Sequence, residues 1–304
     1  MRVGVIIPVL APALWLEEAV RAVLGQDPAP ERVVVVDDGS SPPLAVAGCE
    51  VVRRERAGGP AAARAGGLAA LAGECELVAL ADADDVWHPG KLRAQLDALA
   101  RHPDAVACFG AVRVVGPDGR PTAERWPQVA PGVHEAQALA PIVYERNPIA
   151  TSTVVARAAA IAAAGGFESE LAPAAEDLDL WLRMLAHGAA FAFEPAARID
   201  YRRHPGGRSA DLAALAQCLL AVHERHAGLV EPEVARRARA HDLVALARGR
   251  VRQRRYGEAR AALREAATLA PPTPRERALA ATLTLPGLRA ALGRRPPHPT
   301  ASTR

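Results

Sequence analysis

An apolar run that stops abruptly in carboxylates constrains this chain more than any other feature. Glu76 to Ala81 reads as a buried strand, and Asp82, Asp84 and Asp85 follow within four residues. A second run, Arg32-Val33-Val34-Val35-Val36, ends the same way in Asp37-Asp38-Gly39-Ser40. Continuous apolar strands belong to a sheet covered on both faces. Acids at the ends of two such strands fall on one edge of that sheet, where open α/β sheets bind ligands. Carboxylates so close repel, and a hard divalent cation would hold them, since Mg²⁺ takes one or two carboxylates plus a substrate's phosphate oxygens. Either cluster alone is also explained by a polar turn or a helix N-terminus, where Asp is favoured.

The flanking pattern supports the sheet. Arg2 to Val9 is a β-branched strand, Trp15 to Gln26 has helical apolar spacing, and Cys49 to Arg53 is a short third strand. Gly58-Gly59-Pro60 opens an alanine-rich helix to about Ala72. The order β-α-β-β-α-β makes the strands parallel through helical crossovers. Next come a helix from His88 to Arg101 and a strand from Ala105 to Val115, closed by the turn Gly116-Pro117-Asp118-Gly119. Residues 120–146 show little periodicity and read as a loop region facing a ligand. Thr151 to Ala156 reads as a strand, and Arg157 to Ala164 as a helix stopped by Gly165-Gly166. Ala174 to Leu185 is a helix with Glu176, Asp177 and Asp179 in its first turn, where acids also serve simply as caps. Phe191 to Glu194 and Arg198 to Arg202 read as two short strands. Beyond Ala210 the chain is helical, over about 210–227, 231–254, 256–270 and 275–292. The fold class is therefore α/β: a mixed sheet flanked by helices, with an all-α C-terminal extension.

Charge divides along the same line. Residues 1–200 carry 17 Lys+Arg and 26 Asp+Glu, a balance of −9, whereas residues 201–304 carry 20 Arg and 8 Asp+Glu, a balance of +12. Lys91 is the only lysine. Eight arginines (Arg236, Arg237, Arg239, Arg248, Arg250, Arg252, Arg254, Arg255) share twenty residues with one acid, Asp242. A solvated helix face in an arginine-rich chain accounts for them, and docking on anionic lipid headgroups is the functional alternative. Nucleic acid is not expected as a partner, because Tyr256 is the only aromatic nearby to stack on bases. Leu243 to Pro271 fits one helix–turn–helix hairpin of the tetratricopeptide type. The four cysteines are scattered without a CxxC pair, which argues against a zinc site or disulfide framework and suits a reducing compartment. No apolar run reaches the ~18 residues of a membrane span. The expectation is a cytoplasmic protein, peripheral at the inner face of the membrane if the basic stripe binds lipid.

Six short motifs occur in series: Val5-Ile6-Ile7-Pro8, Val36-Asp37-Asp38-Gly39-Ser40, Asp82-Ala83-Asp84-Asp85, Gly165-Gly166-Phe167, Glu176-Asp177 and Arg203-His204. In order and spacing the chain resembles a family 2 glycosyltransferase of the GT-A fold, of the bacterial polysaccharide and lipid-linked glycan type, over about residues 2–209. The resemblance implies a GT-A domain at 1–209; outside it, the residues themselves read as a helical, Arg-rich extension at 210–304, with the hairpin at 243–271 and a disordered tail at 293–304. The resemblance also implies that Pro8, Asp37, Asp38, Arg64 and Asp82 bind the nucleotide. Asp82 and Asp84 match the DxD motif that grips the ribose and a Mn²⁺ or Mg²⁺ on the diphosphate, with His204 as a further metal or phosphate contact. Asp177 matches the general base, with Glu176 as its alternative. The implied reaction inverts the anomeric centre and moves a sugar from a UDP- or GDP-sugar to a hydroxyl of a glycan or lipid-linked acceptor. Two departures stand out: Leu10-Ala11 replace the family's Tyr-Asn, and Ala65 replaces the Asn after Arg64. A catalytically silent nucleotide-sugar-binding module that recruits partners through its helical tail is the competing expectation. A nucleotidyltransferase would need a Gly-rich basic loop that Pro8-Val9-Leu10-Ala11-Pro12 lacks. Trp181 is expected in the core, and Trp87 in the core or under a sugar.

Overall fold

The computed structural model describes residues 1–168 and 174–284. The first half builds the expected unit: β1 (Val3–Val9), α1 (Leu16–Leu24), β2 (Arg32–Asp37), β3 (Glu50–Arg53), α2 (Gly59–Leu71) and β4 (Leu77–Leu80). Then follow β5 (Val86–Trp87), α3 (Lys91–Arg101), β6 (Ala105–Val115), β7 (Gly132–His134), α4 (Ala136–Arg146), β8 (Val155–Arg157), α5 (Ala158–Ala163), α6 (Glu176–Ala186) and β9 (Ala190–Arg202). The extension is α7 (Leu212–Arg225), α8 (Pro232–Arg252), α9 (Tyr256–Leu269) and α10 (Pro274–Thr284).

One mixed sheet runs β3-β2-β1-β4-β8-β6-β9-β5, with β7 on β9. Strands β3, β2, β1 and β4 are parallel, with Val9 beside Asp37 and Ile6 beside Leu80. The order reverses between β1 and β4, and ligand crevices form at such switch points. Successive side chains point to opposite faces, and here both faces are apolar. Ile6, Val34 and Val36 enter one core with α2, α4 and α6, whereas Val5, Ile7, Val33 and Val35 enter another with α1 and α3. Gly67 lets α2 lie close on β1, since a β-carbon there would meet Ile6 Cγ2 at 2.5 Å.

Three expectations are corrected. Residues 120–146 are not all loop: β7 and α4 lie within them. Ala136, Leu139, Ala140, Val143 and Tyr144 are buried at helical spacing, and Pro141 in the helix interior disguises the pattern. Thr151–Thr153 is a 3₁₀ turn, and only Val155–Arg157 pairs as a strand. The two short strands after α6 are one strand, β9, whose register against β6 shifts between Gly110 and Ala111.

The apolar core continues past residue 209. Val222 of α7 and Ala238 of α8 are buried in the same cluster as α4 and α6, while α9, α10 and the second half of α8 form a separate cluster. Polar contacts reinforce that join: Tyr144 Oη donates to the His223 carbonyl at 2.6 Å, and His226 Nε2 lies 2.9 Å from Asp179 Oδ1. Helices α8 and α9 pack against each other, burying Leu243, Ala247, Ala259, Leu263 and Ala266. The expected tail at 293–304, and the last helix beyond Thr284, lie outside the described residues.

Candidate active site

Arg64 on α2 is the hub of the site. Only 4% exposed, it places Nη2 2.5 Å from Asp82 Oδ1 and Nη1 2.5 Å from Glu176 Oε1. Burial works against its charge, but Asp82, Glu176 and Asp177 outweigh burial and raise its pKa above the ordinary arginine value. The expected positive group among these acids is thus partly supplied by the protein. Glu176 is nearly buried and holds Arg208 Nη2 at 3.4 Å through its other oxygen. Burial pushes its pKa up, with Asp177 adding to the rise and Arg64 opposing it.

Asp177, beside it at the start of α6, is only half-buried. Its Oδ2 accepts from Thr151 Oγ1 at 2.5 Å and its Oδ1 from the Leu178 N–H at 2.7 Å. Ser152 takes the Asp82 N–H at 2.8 Å. Thr151 and Ser152 escaped the sequence reading. Their signal was a run of three hydroxyl residues, Thr151-Ser152-Thr153, between apolar neighbours, because buried hydroxyls need polar partners.

Asp84 stands on the other side of the acidic turn, with Oδ2 2.9 Å from His204 Nε2. Burial and repulsion from Asp82 raise its pKa, and His204 opposes the rise. Asp85 is buried, and burial with the two neighbouring acids pushes its pKa well up; its Oδ1 takes the Arg202 N–H at 3.0 Å. Arg202 clamps the turn further, donating Nε to the Asp84 carbonyl at 3.1 Å and Nη2 to Glu18 at 2.8 Å. Trp15 backs this corner, 4.5 Å from the His204 ring and 5.1 Å from the Arg202 guanidinium carbon. Arg202, Glu18 and Trp15 were also missed, and no spacing rule links residues so far apart.

Asp37 and Asp38 sit at the end of β2 and, among the described residues, form their hydrogen bonds and ion pairs with groups other than Arg64. Asp37 is buried and accepts from the Ser40 and Leu44 N–H groups and from Arg53. Burial opposes its charge, yet those hydrogen bonds and Arg53 hold its pKa below the usual range. Asp38 pairs with Arg54 at 2.8 Å and takes the Gly58 and Gly59 N–H groups at the start of α2. It therefore anchors the helix that carries Arg64. Pro8 lies beside Val36, and the next carbonyl, that of Val9, receives the Asp38 N–H at 2.8 Å. Trp181 is wholly buried in the core and Trp87 nearly so.

Among the described residues no three Asp, Glu, His or Cys side chains form a ready cation cage. Asp84 and His204 offer two donors, and Asp82 is engaged by Arg64 through one oxygen. That set fits a divalent cation completed by phosphate oxygens and water, the usual arrangement for Mg²⁺ in phosphate sites.

The family model described as Glycosyl transferase family 2 matches residues 4–164. The pre-mycofactocin glycosyltransferase of Mycobacterium tuberculosis is 31% identical over 209 residues, covering 66% of this chain and 42% of the relative. The match thus spans less than half of that relative's length. Residues 1–349 of S. aureus TarS superimpose with a TM-score of 0.60 at 17% identity, covering 96% of this chain and 86% of that one. The same protein in complex with UDP-GlcNAc gives 0.59 at 19% identity over 96% and 86%. The mannosyltransferase PcManGT from Pyrobaculum calidifontis, in complex with GDP-Man and Mn²⁺, gives 0.58 at 19% identity over 96% and 83%. These three similarities establish the fold.

Proposed function

The chain belongs to glycosyl transferase family 2, and from that premise we propose that it transfers a sugar from a nucleoside-diphosphate sugar to an acceptor hydroxyl with inversion at the anomeric carbon. One observation carries the reading: Arg64 joins Asp82 and Glu176, 18 and 112 residues away in sequence, beside the half-buried Asp177. The bound UDP-GlcNAc and GDP-Man of the two structural neighbours support a nucleotide sugar as donor.

In this reading Pro8 and the loop shaped by Asp37 and Asp38 receive the nucleoside, and Asp82 faces the ribose while Arg64 fixes its orientation. Asp84 and His204 would hold Mn²⁺ or Mg²⁺, which neutralises charge on the departing diphosphate. Asp177 takes the acceptor's proton as the acceptor oxygen bonds to the anomeric carbon and the bond to the diphosphate breaks, its electron pair leaving with the diphosphate. Glu176 is the weaker candidate for base, because both its oxygens are engaged by arginines. Thr151 positions Asp177 through its hydroxyl. The acceptor is a glycan or a lipid-linked molecule. Among the described residues no helix is long and apolar enough to cross a membrane. Five of the eight stripe arginines (Arg236, Arg237, Arg239, Arg250, Arg255) already pair with glutamates, which leaves less of the stripe for lipid headgroups.

Hydrolysis of UDP- and GDP-sugars in the presence of Mn²⁺ tests the proposal. Turnover in the wild type that disappears in Asp177→Asn is expected. Nucleotide-sugar binding without turnover in either protein would favour the silent binding module instead.

A further inference from the structure

A cavity of about 880 Å³ lies away from the carboxylate cluster. Residues 124–127, 145–147 and Arg203 form one wall, and faces of α8, α9 and α10 form the other. Its floor is apolar, with Val244, Leu263, Ala266 and Ala267 among the lining residues. Around that floor stand seven arginines and only three glutamates. Arg203 and Arg237 are neutralised by Glu124 and Glu145, and Arg277 donates to the Pro272 carbonyl. Arg125 and Arg146 on one wall, and Arg260 and Arg264 on the other, have no hydrogen bond or ion pair among the described residues. Arg260 even buries its Nε without a partner. Arg260 and Arg264 are one helical turn apart and so project from one face of α9.

Guanidinium groups gathered around an apolar surface repel one another, and although Arg125, Arg146 and Arg264 are exposed and Arg260 half-buried, an anion between them is stabilising. A nucleic acid is a poor match, because Trp126 is the only Phe, Tyr or Trp in the lining. The remaining stretch of this chain, 285–304, is no better, with four arginines and no Asp or Glu. The chain leads from the cavity to the site. Arg203 lies between Arg202 and His204, and Asn147 precedes Thr151 by four residues.

We propose that this cavity seats the acceptor, an amphiphile whose apolar body lies on the α8–α9 floor and whose phosphate head is gripped by Arg125, Arg146, Arg260 and Arg264. A phosphate can accept paired hydrogen bonds from more than one guanidinium fork, which suits arginines on two facing walls. The acceptor role rests on the sugar-transfer reading above, whereas binding of the amphiphile does not.

The experiment is therefore run on the full chain without donor or metal, in EDTA. Binding of monomeric dodecyl phosphate is measured by calorimetry for the wild type, for Arg260→Gln/Arg264→Gln, for Ala267→Asp on the floor and for Arg239→Gln outside the cavity. Dodecyl phosphate should bind the wild type and Arg239→Gln alike, and lose roughly 30-fold or more in affinity in the double variant. Ala267→Asp, at an exposed position that tolerates the fold, should lose binding similarly. Three results overturn the assignment: inorganic phosphate binding as tightly, neutral dodecyl maltoside binding as tightly, or cavity variants matching the wild type. Such a failure leaves donor hydrolysis untouched as a test of sugar transfer, and absence of hydrolysis leaves the binding result standing.

Discussion

Arg64 and Arg255 both face glutamates, yet their settings differ in every respect that matters energetically. Arg64 is buried, and its partners arrive from α6 and from the turn after β4. Arg255 is half-exposed and pairs with Glu258, three residues along the same helical segment. Arg236 likewise pairs with Glu233, on its own helix. Exposed local pairs contribute little, since water and salt screen them. A buried cation shared by carboxylates from distant segments cannot lose its partners without stranding charge in a poor solvent. Charge density alone would have ranked the helical extension first. Burial and sequence separation rank the end of the sheet first, and that is where chemistry is proposed.

The comparison can be broken most directly at Asp177. Asp177→Asn keeps the shape of the site and removes the proton acceptor, so donor hydrolysis should fall by about 10²–10⁴-fold in kcat with little change in donor KM. Retained turnover in steady-state assays would move the base elsewhere.

Arg64→Ala tests the hub. It leaves Asp82 without its arginine and the buried Glu176 with only the longer contact to Arg208, and denaturant unfolding should show a loss of about 3–5 kcal/mol. Arg64→Lys should recover only part of this, because an ammonium cannot fork to two carboxylates. A loss below 1 kcal/mol in Arg64→Ala would mean that water or another side chain replaces the guanidinium.

Lys91 sharpens the contrast, as a buried cation with no carboxylate. It is fully buried, donates to Gln95 Oε1 at 2.8 Å and lies 3.6 Å from the Trp87 ring centroid. Burial lowers its pKa to about 7. Between about pH 7 and the ordinary lysine range near 10.5 the unfolded chain binds a proton that the folded chain does not. Stability therefore rises with pH across that window and is flat, in this respect, below it. Lys91→Met should be more stable than the wild type at pH 7 and should flatten the rise. Parallel slopes of Tm against pH for the two proteins would show that Lys91 stays charged when folded.

The smallest effect is expected in the extension. Arg255→Ala should change unfolding free energy by no more than about 0.5 kcal/mol, and 1 M NaCl should erase the difference. A loss above 1 kcal/mol would undo the distinction drawn between the two regions.

Much of this was legible in the residues. The runs at 3–9, 32–37 and 77–80 could be placed because strands buried on both faces must be apolar throughout. The acids that end them stand out because nothing apolar follows. Helix α4 was hidden by Pro141, whose missing N–H is a local penalty that packing of Leu139, Val143 and Tyr144 outweighs. The single strand β9 was hidden because Pro195 interrupts its pattern, and only its pairing with β6 shows that it continues.

Sequence alone determined where strands and helices could form and which acids stood at strand ends, because solvent exclusion and backbone geometry act over a few residues. Tertiary structure decided which acids meet. It sent Asp37 and Asp38 to brace loops, gave Asp82 and Glu176 to Arg64, and set Thr151 on Asp177 and His204 on Asp84. Those pairings depend on distance in space between segments far apart in the chain, and on how little water reaches them.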